Sequence, residues 1–131
     1  MSGSLGGGKL FIGTTAGTTN YFAPTLGAGT GGVYRIGAGG NQGTLAIGVN
    51  AFENVLTGSA SVAFGAPQLE NGPQSFQLIN GQTGNTTLSN RNNYTGGTIF
   101  YNGGVVVANN FQALGTGTLT FTQVSGNVGK L

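Results

Sequence analysis

Residues 93–122 read NYTGGTIFYNGGVVVANNFQALGTGTLTFT, and this stretch decides how the rest of the chain is read. It holds three short apolar runs, at 98–101, 105–108 and 118–122, separated by corners rich in glycine and asparagine. In the last run Leu119 and Phe121 alternate with Thr118, Thr120 and Thr122. That is the period of two expected of a strand with one buried and one wet face. Leu119 and Phe121 are therefore predicted to point into a core. Strands this short, returned after a few residues by tight corners, have the spacing of a β-solenoid.

Three segments stand in a recognisable order within this stretch: Tyr94-Thr95-Gly96-Gly97-Thr98, then Asn102-Gly103-Gly104-Val105-Val106-Val107, then Ala113-Leu114-Gly115-Thr116-Gly117-Thr118-Leu119-Thr120. Together they resemble the passenger-associated transport repeat (autotransporter-associated β-strand repeat) of bacterial autotransporters. In that family an N-x-Y-T-G-G-T opening, a G-G-x-L/V strand and an A-L-G-x-G-x-L-T strand build coils of a right-handed parallel β-helix. Here Ile99-Phe100-Tyr101 forms the middle strand, and valine stands where leucine is commoner; neither change alters the polarity pattern. The clearest family-like repeat covers 84–122.

Working outward, the same rhythm begins at Gly32. Val33-Tyr34-Arg35-Ile36, a glycine corner at 37–40 and Thr44-Leu45-Ala46-Ile47 read as strand, corner, strand. The run from Asn54 to Phe64 resembles the L-x-G-x-G-x-L segment that precedes such repeats, with Ala60 in place of the second glycine. Pro67 and Pro73 bracket a predicted loop, because proline cannot donate to a central ladder. Phe76, Leu78 and Ile79 restart a strand, and Thr86-Thr87-Leu88-Ser89 leads into the Asn90-Arg91-Asn92-Asn93 corner. Nearer the start, Leu10-Phe11-Ile12 reads as a strand followed by Thr/Gly turns and a looser segment through Tyr21, Phe22 and Pro24. The expected organisation is a Gly/Ser-rich linker at 1–8 and one β-solenoid domain at 9–131. Coils of about 17 to 25 residues, the range of short solenoid repeats, give five or six degenerate rungs.

Composition fits stacking. The chain has 131 residues, enough for one domain with a core. Its 28 glycines and 3 prolines together come close to the share that suggests low complexity, yet only 5% of residues are charged and Val, Ile, Leu and Phe recur in strand-sized clusters. Disordered chains show the reverse. Glycine and asparagine tolerate the positive φ of tight corners. Equivalent residues in adjacent coils lie about 4.8 Å apart, where like charges would repel, so a nearly uncharged sequence suits the architecture. Asn92, Asn93, Asn102, Asn109 and Asn110 can stack into amide ladders, although each taken singly is a turn former.

Cysteine is absent, which excludes a disulfide framework and a thiolate metal site. No run reaches the roughly 18 apolar residues of a spanning helix, so the chain is read as not membrane-spanning. Residues 1–8 lack the charged start and apolar middle of a signal peptide. Lys9, Arg35, Arg91 and Lys130 are scattered, whereas nucleic-acid binding needs a dense basic patch.

There is also no His and no Asp, which removes Ser/His/Asp and Cys/His chemistry and the usual metal clusters. Gly27-x-Gly29-x-x-Gly32 matches a dinucleotide pattern but precedes a strand rather than opening a helix. Glu53 and Glu70 are the sole carboxylate side chains, spaced by close to one coil. Paired carboxylates are what glycoside hydrolysis requires, but both stand at positions suited to solvent. The expectation is no catalytic residue, no cofactor, no metal and no enzyme.

The resemblance implies a structural passenger segment, a surface-exposed or secreted stalk of a Gram-negative bacterium whose folding outside supports export through the translocator β-barrel of its parent. Adhesion and self-association are the attendant roles. One alternative is a binding module in which Thr, Asn, Tyr34, Tyr94 and Tyr101 form an exposed ladder for host or matrix glycans; another is a carbohydrate-active enzyme using Glu53 and Glu70. Neither end carries an amphipathic cap, so head-to-tail stacking of copies into open filaments is expected.

Overall fold

A computed structural model describes residues 9–14, 17–37, 43–48, 53–65, 85–101 and 105–122. These residues form eight short strands and no helix: β1 (Thr18–Tyr21), β2 (Val33–Ile36), β3 (Thr44–Ile47), β4 (Ser61–Phe64), β5 (Asn85–Leu88), β6 (Thr98–Phe100), β7 (Val105–Ala108) and β8 (Leu119–Phe121). Alternate strands go to alternate sheets, in the orders β1-β3-β5-β7 and β2-β4-β6-β8. Every strand pair is parallel. Parallel neighbours require a crossover, and here the crossover is a visit to the other sheet.

The register explains why these residues are strands. In one sheet Tyr34, Val62, Thr98 and Leu119 fall in one column, and Ile36, Phe64, Phe100 and Phe121 in another. In the other sheet the corresponding columns are Leu45, Thr86 and Val106, and Ile47, Leu88 and Ala108. A single core cluster unites buried members of both sheets with Val55, Leu56, Tyr94 and Ala113 from the corners. Burying a Phe or Leu of this kind stabilises by about 1.5–3 kcal/mol. Phe64, Phe100 and Phe121 also stack face to face, with ring centroids 5.6 and 4.8 Å apart.

Corners stack as well as strands. Backbone bonds run from Leu26 to Val55, from Asn54 to Arg91 and from Asn92 to Gln112, so successive corner segments are hydrogen-bonded to one another. The step between equivalent strands is uneven. Asn85 pairs with Val105, within the expected coil length, whereas Thr44 pairs with Asn85, far beyond it. A stack tolerates this because loop length between stacked elements costs little free energy.

Three expectations need correction. Leu10-Phe11-Ile12 is not a paired strand: it contributes a single parallel bridge, Ile12 with Ile36, and Leu10 is exposed. β1 occupies residues read as turns; its polar Thr-Thr-Asn surface carries no alternation, and pairing with β3 supplies what propensity does not. Leu119 and Phe121 share columns with buried residues but are themselves 41% and 47% exposed, because no further strand covers β8 among the described residues. The described residues place four strands in each sheet, with Ile12 bridged to the outer edge of β2. The predicted loop at 67–73, the strand around Phe76, Leu78 and Ile79, and the linker at 1–8 lie outside the described residues.

Candidate functional surface

The 94–98 corner is held closely between two neighbouring layers. Thr95 N–H donates to the Gly58 carbonyl at 2.9 Å and Gly96 N–H to that of Ala60 at 3.0 Å, tying the corner to the layer beneath. On its other side Thr116 N–H donates to the Tyr94 carbonyl at 3.2 Å and Thr98 N–H to that of Thr118 at 2.8 Å. Side chains cannot fit between these layers. A Cβ on Gly96 would lie 2.6 Å from the Ser59 carbonyl oxygen, and one on Gly117 would strike the Gly97 backbone. Gly115, at φ 64°, would put a Cβ on the Tyr94 carbonyl oxygen.

Polar side chains inside the corner are satisfied rather than available. Asn92 is buried; its Oδ1 accepts from Leu56 N–H at 3.0 Å and its Nδ2 donates to the Ala113 carbonyl at 2.9 Å, so one amide joins three successive layers. Tyr94 is fully buried, with its hydroxyl 2.5 Å from Thr98 Oγ1, which in turn donates to the Leu114 carbonyl at 3.3 Å. Burial pushes the Tyr94 phenol up to about 12, and the Thr98 hydrogen bond offsets only part of that rise. Asn92 thus has a role beyond turn formation. Asn110 caps its own turn through Oδ1 to Gln112 N–H, Asn93 and Asn109 are exposed, and Asn102 is outside the described residues.

The proposed exposed tyrosine ladder is not formed. Tyr34 is buried with its hydroxyl on the Thr57 carbonyl, Tyr94 is buried as above, and only Tyr101 reaches the surface, half-buried. The aromatic bodies of Tyr34 and Tyr94 belong to the core cluster. Glu53 forms an ion pair with Arg91 at 2.5 Å, half exposed, and Glu70 lies outside the described residues. Arg35 donates to the carbonyls of Val33 and Thr30. No group of three or more metal-ligating side chains occurs among the described residues, and no helix there is long and apolar enough to cross a membrane.

What remains available among the described residues is the coil of β7 and β8. β7, the 109–118 corner and β8 frame an open groove of about 750 Å³, with Val106, Val107, Ala108, Phe111, Leu114 and Leu119 among its lining. Phe111 is 94% exposed and Val107 43%. Residues 105–122 include no ionisable side chain. The described residues of the groove offer apolar contact and threonine and asparagine hydrogen bonding, and no acid, base or charged nucleophile. Sequence reasoning missed Phe111, whose signal is a large apolar residue set inside the polar Asn-Asn-x-Gln turn. No protein family, no curated protein and no solved structure matches this chain.

Proposed function

We propose that the chain is a structural, non-enzymatic segment: a right-handed parallel β-helix serving as part of the passenger of a Gram-negative autotransporter, displayed at the cell surface or secreted. The observation that carries this reading is the interlayer packing of Gly96, Gly97, Gly115 and Gly117, the glycines of the family-like Y-T-G-G-T and A-L-G-x-G-x-L-T segments. In a stack those positions are forced to be glycine, which gives the resemblance a physical basis. The alternation of parallel strands between two sheets supports the same architecture.

Such a stack fits export. Each added coil closes backbone bonds on the coil before it and covers its inward columns, so folding outside proceeds layer by layer without a distant partner. The absence of cysteine leaves nothing to oxidise before passage. The translocator β-barrel of the parent is the partner this mechanism requires.

Protease treatment of intact cells expressing the parent open reading frame tests the proposal. Release of fragments containing 94–122 from whole cells is the expected result. Complete protection until the cells are lysed, together with a parent that encodes no β-barrel, overturns it.

A further inference from the structure

We propose that Asn93 is an acceptor for N-linked glycosylation, the side chain on which a transferase places a neutral sugar from a glycosyl diphosphate donor. This inference rests on the geometry of the 92–98 corner and not on the export reading.

Two triplets of the form Asn-x-Thr occur in the sequence, Asn85-Thr86-Thr87 and Asn93-Tyr94-Thr95. That is the acceptor pattern for N-glycosylation, and a bulky, hydrated group demands a surface position. The fold treats the two triplets differently. Asn85 opens β5, which is paired with β3 on one side and β7 on the other, and Thr86 is buried. The second triplet lies in a corner where burial alternates: Asn92 and Tyr94 are buried, and Asn93 and Thr95 are exposed. Extended backbone sets alternate residues on one face. The acceptor amide and the hydroxyl two residues on therefore share the outer side of the stack.

The other polar side chains of 92–98 each have a structural task. Asn92 links Leu56 N–H to the Ala113 carbonyl, the Tyr94 hydroxyl is bonded to Thr98, and Thr98 reaches the Leu114 carbonyl. Thr95 Oγ1 donates to the Gly58 carbonyl at 3.4 Å. The Asn93 carboxamide has no hydrogen-bond partner among the described residues. The residue is held by its backbone instead, with its N–H donating to the Leu56 carbonyl at 3.2 Å. In the N-x-Y-T-G-G-T opening it stands at x, the position the motif leaves open. A sugar on Nδ2 leaves the interlayer bonds of the corner standing.

What the sugar supplies is hydration. Only 5% of the residues are charged, against about 25% in ordinary soluble proteins. Charges repeated at the coil spacing of about 4.8 Å repel one another, whereas a neutral sugar adds hydroxyl groups without charge. In the transfer, Nδ2 of Asn93 bonds to the anomeric carbon of the donor sugar. The bond from that carbon to the diphosphate oxygen breaks, its electron pair leaves on the diphosphate, and one Nδ2 proton passes to a base on the transferase. Asn93 N–H and Thr95 N–H are tied to the Leu56 and Gly58 carbonyls in the finished stack, so the transfer precedes closure of this layer.

Peptide mass mapping of the chain purified from the cells that naturally make it is the test. The expected result is a glycan mass increment on the peptide bearing Asn93 and none on that bearing Asn85. The increment should vanish in Asn93→Gln and in Thr95→Ala and persist in Thr95→Ser, which keeps the hydroxyl. A single sugar identifies a nucleotide-activated donor, and a preassembled oligosaccharide a lipid-linked one; either supports the assignment. Circular dichroism should show the same β spectrum with and without the sugar. An unmodified Asn93 in the chain from its natural source overturns the proposal. So does an increment that survives Asn93→Gln, or one that is lost in Asn85→Gln instead.

Discussion

Gly96→Ala tests the interlayer packing most directly. Gly96 does not have positive φ, so alanine is allowed by its backbone and any effect comes from contact. The added Cβ would sit 2.6 Å from the Ala60 carbonyl carbon, 2.6 Å from the Ser59 oxygen and 2.7 Å from the Ala60 oxygen, all backbone atoms that no rotamer change can move. Relief requires the two layers to part by roughly 0.8 Å, to the ordinary contact distance of about 3.4 Å; overpacking of this kind costs about 1–3 kcal/mol. Parting also stretches the bonds from Thr95 to Gly58 and from Gly96 to Ala60, each contributing about 1 kcal/mol. Loss of glycine's unfolded-state entropy returns about 0.4–1 kcal/mol. The net expectation is destabilisation by about 2–4 kcal/mol.

Gly58→Ala is the matched control. Gly58 has φ 76° and nothing within 4 Å of a built Cβ, so alanine there meets only the left-handed backbone penalty, about 1–2 kcal/mol. Urea unfolding followed by far-ultraviolet circular dichroism measures both variants. If Gly96→Ala unfolds at the same urea concentration as wild type, or is milder than Gly58→Ala, the layers are not in contact at this corner and the packing argument fails.

Other perturbations probe the core and its half-exposed margin. Phe100→Ala should cost about 3–5 kcal/mol as a buried aromatic, and Phe121→Ala, in the same column but half exposed, about half as much; equal losses in urea titrations would contradict the difference in burial between the two rings. Asn92→Ala leaves Leu56 N–H and the Ala113 carbonyl unpaired in the interior, for a loss of about 2–4 kcal/mol from two unsatisfied groups; a shift in melting temperature no larger than that of Asn93→Ala would refute it. Tyr94 has its folded pKa raised from 10.0 to about 12, so its contribution is complete below pH 10 and is lost as pH rises through 12. Over that window stability should fall by about 1.4 kcal/mol for each pH unit, and Tyr94→Phe, followed by thermal melts at pH 9 to 12, should flatten the dependence.

Much of this architecture was legible in residues. The strands at Val33–Ile36, Thr44–Ile47 and Val105–Ala108 coincide with the apolar runs between glycine corners, because such short runs have no other way to bury one face. Pairing partners were not legible. β3 pairs with β5 across 48–84, a span no local pattern encodes. β1 escaped because its sequence, Thr-Thr-Asn-Tyr, has no alternation and gains its order from β3 alone. Side-chain roles were misread where composition suggested surface: Tyr34 and Tyr94 looked like exposed ligand-binding aromatics but occupy the interior, and Asn92 looked like a turn residue but fastens three layers.

The glycines of the 94–98 and 113–119 segments join these two levels. A turn signal in sequence is usually taken as a statement about φ, and for Gly97 and Gly115 that is part of the reason. For Gly96 and Gly117, neither of which has positive φ, the demand comes from the neighbouring layer instead. Gly117 is excluded from bearing a side chain by Gly97, and Gly96 by Ser59 and Ala60, so each corner restricts the composition of the next. A motif generated in this way must span more than one coil. Its recurrence therefore reports the stacking distance, and it need report no ligand at all.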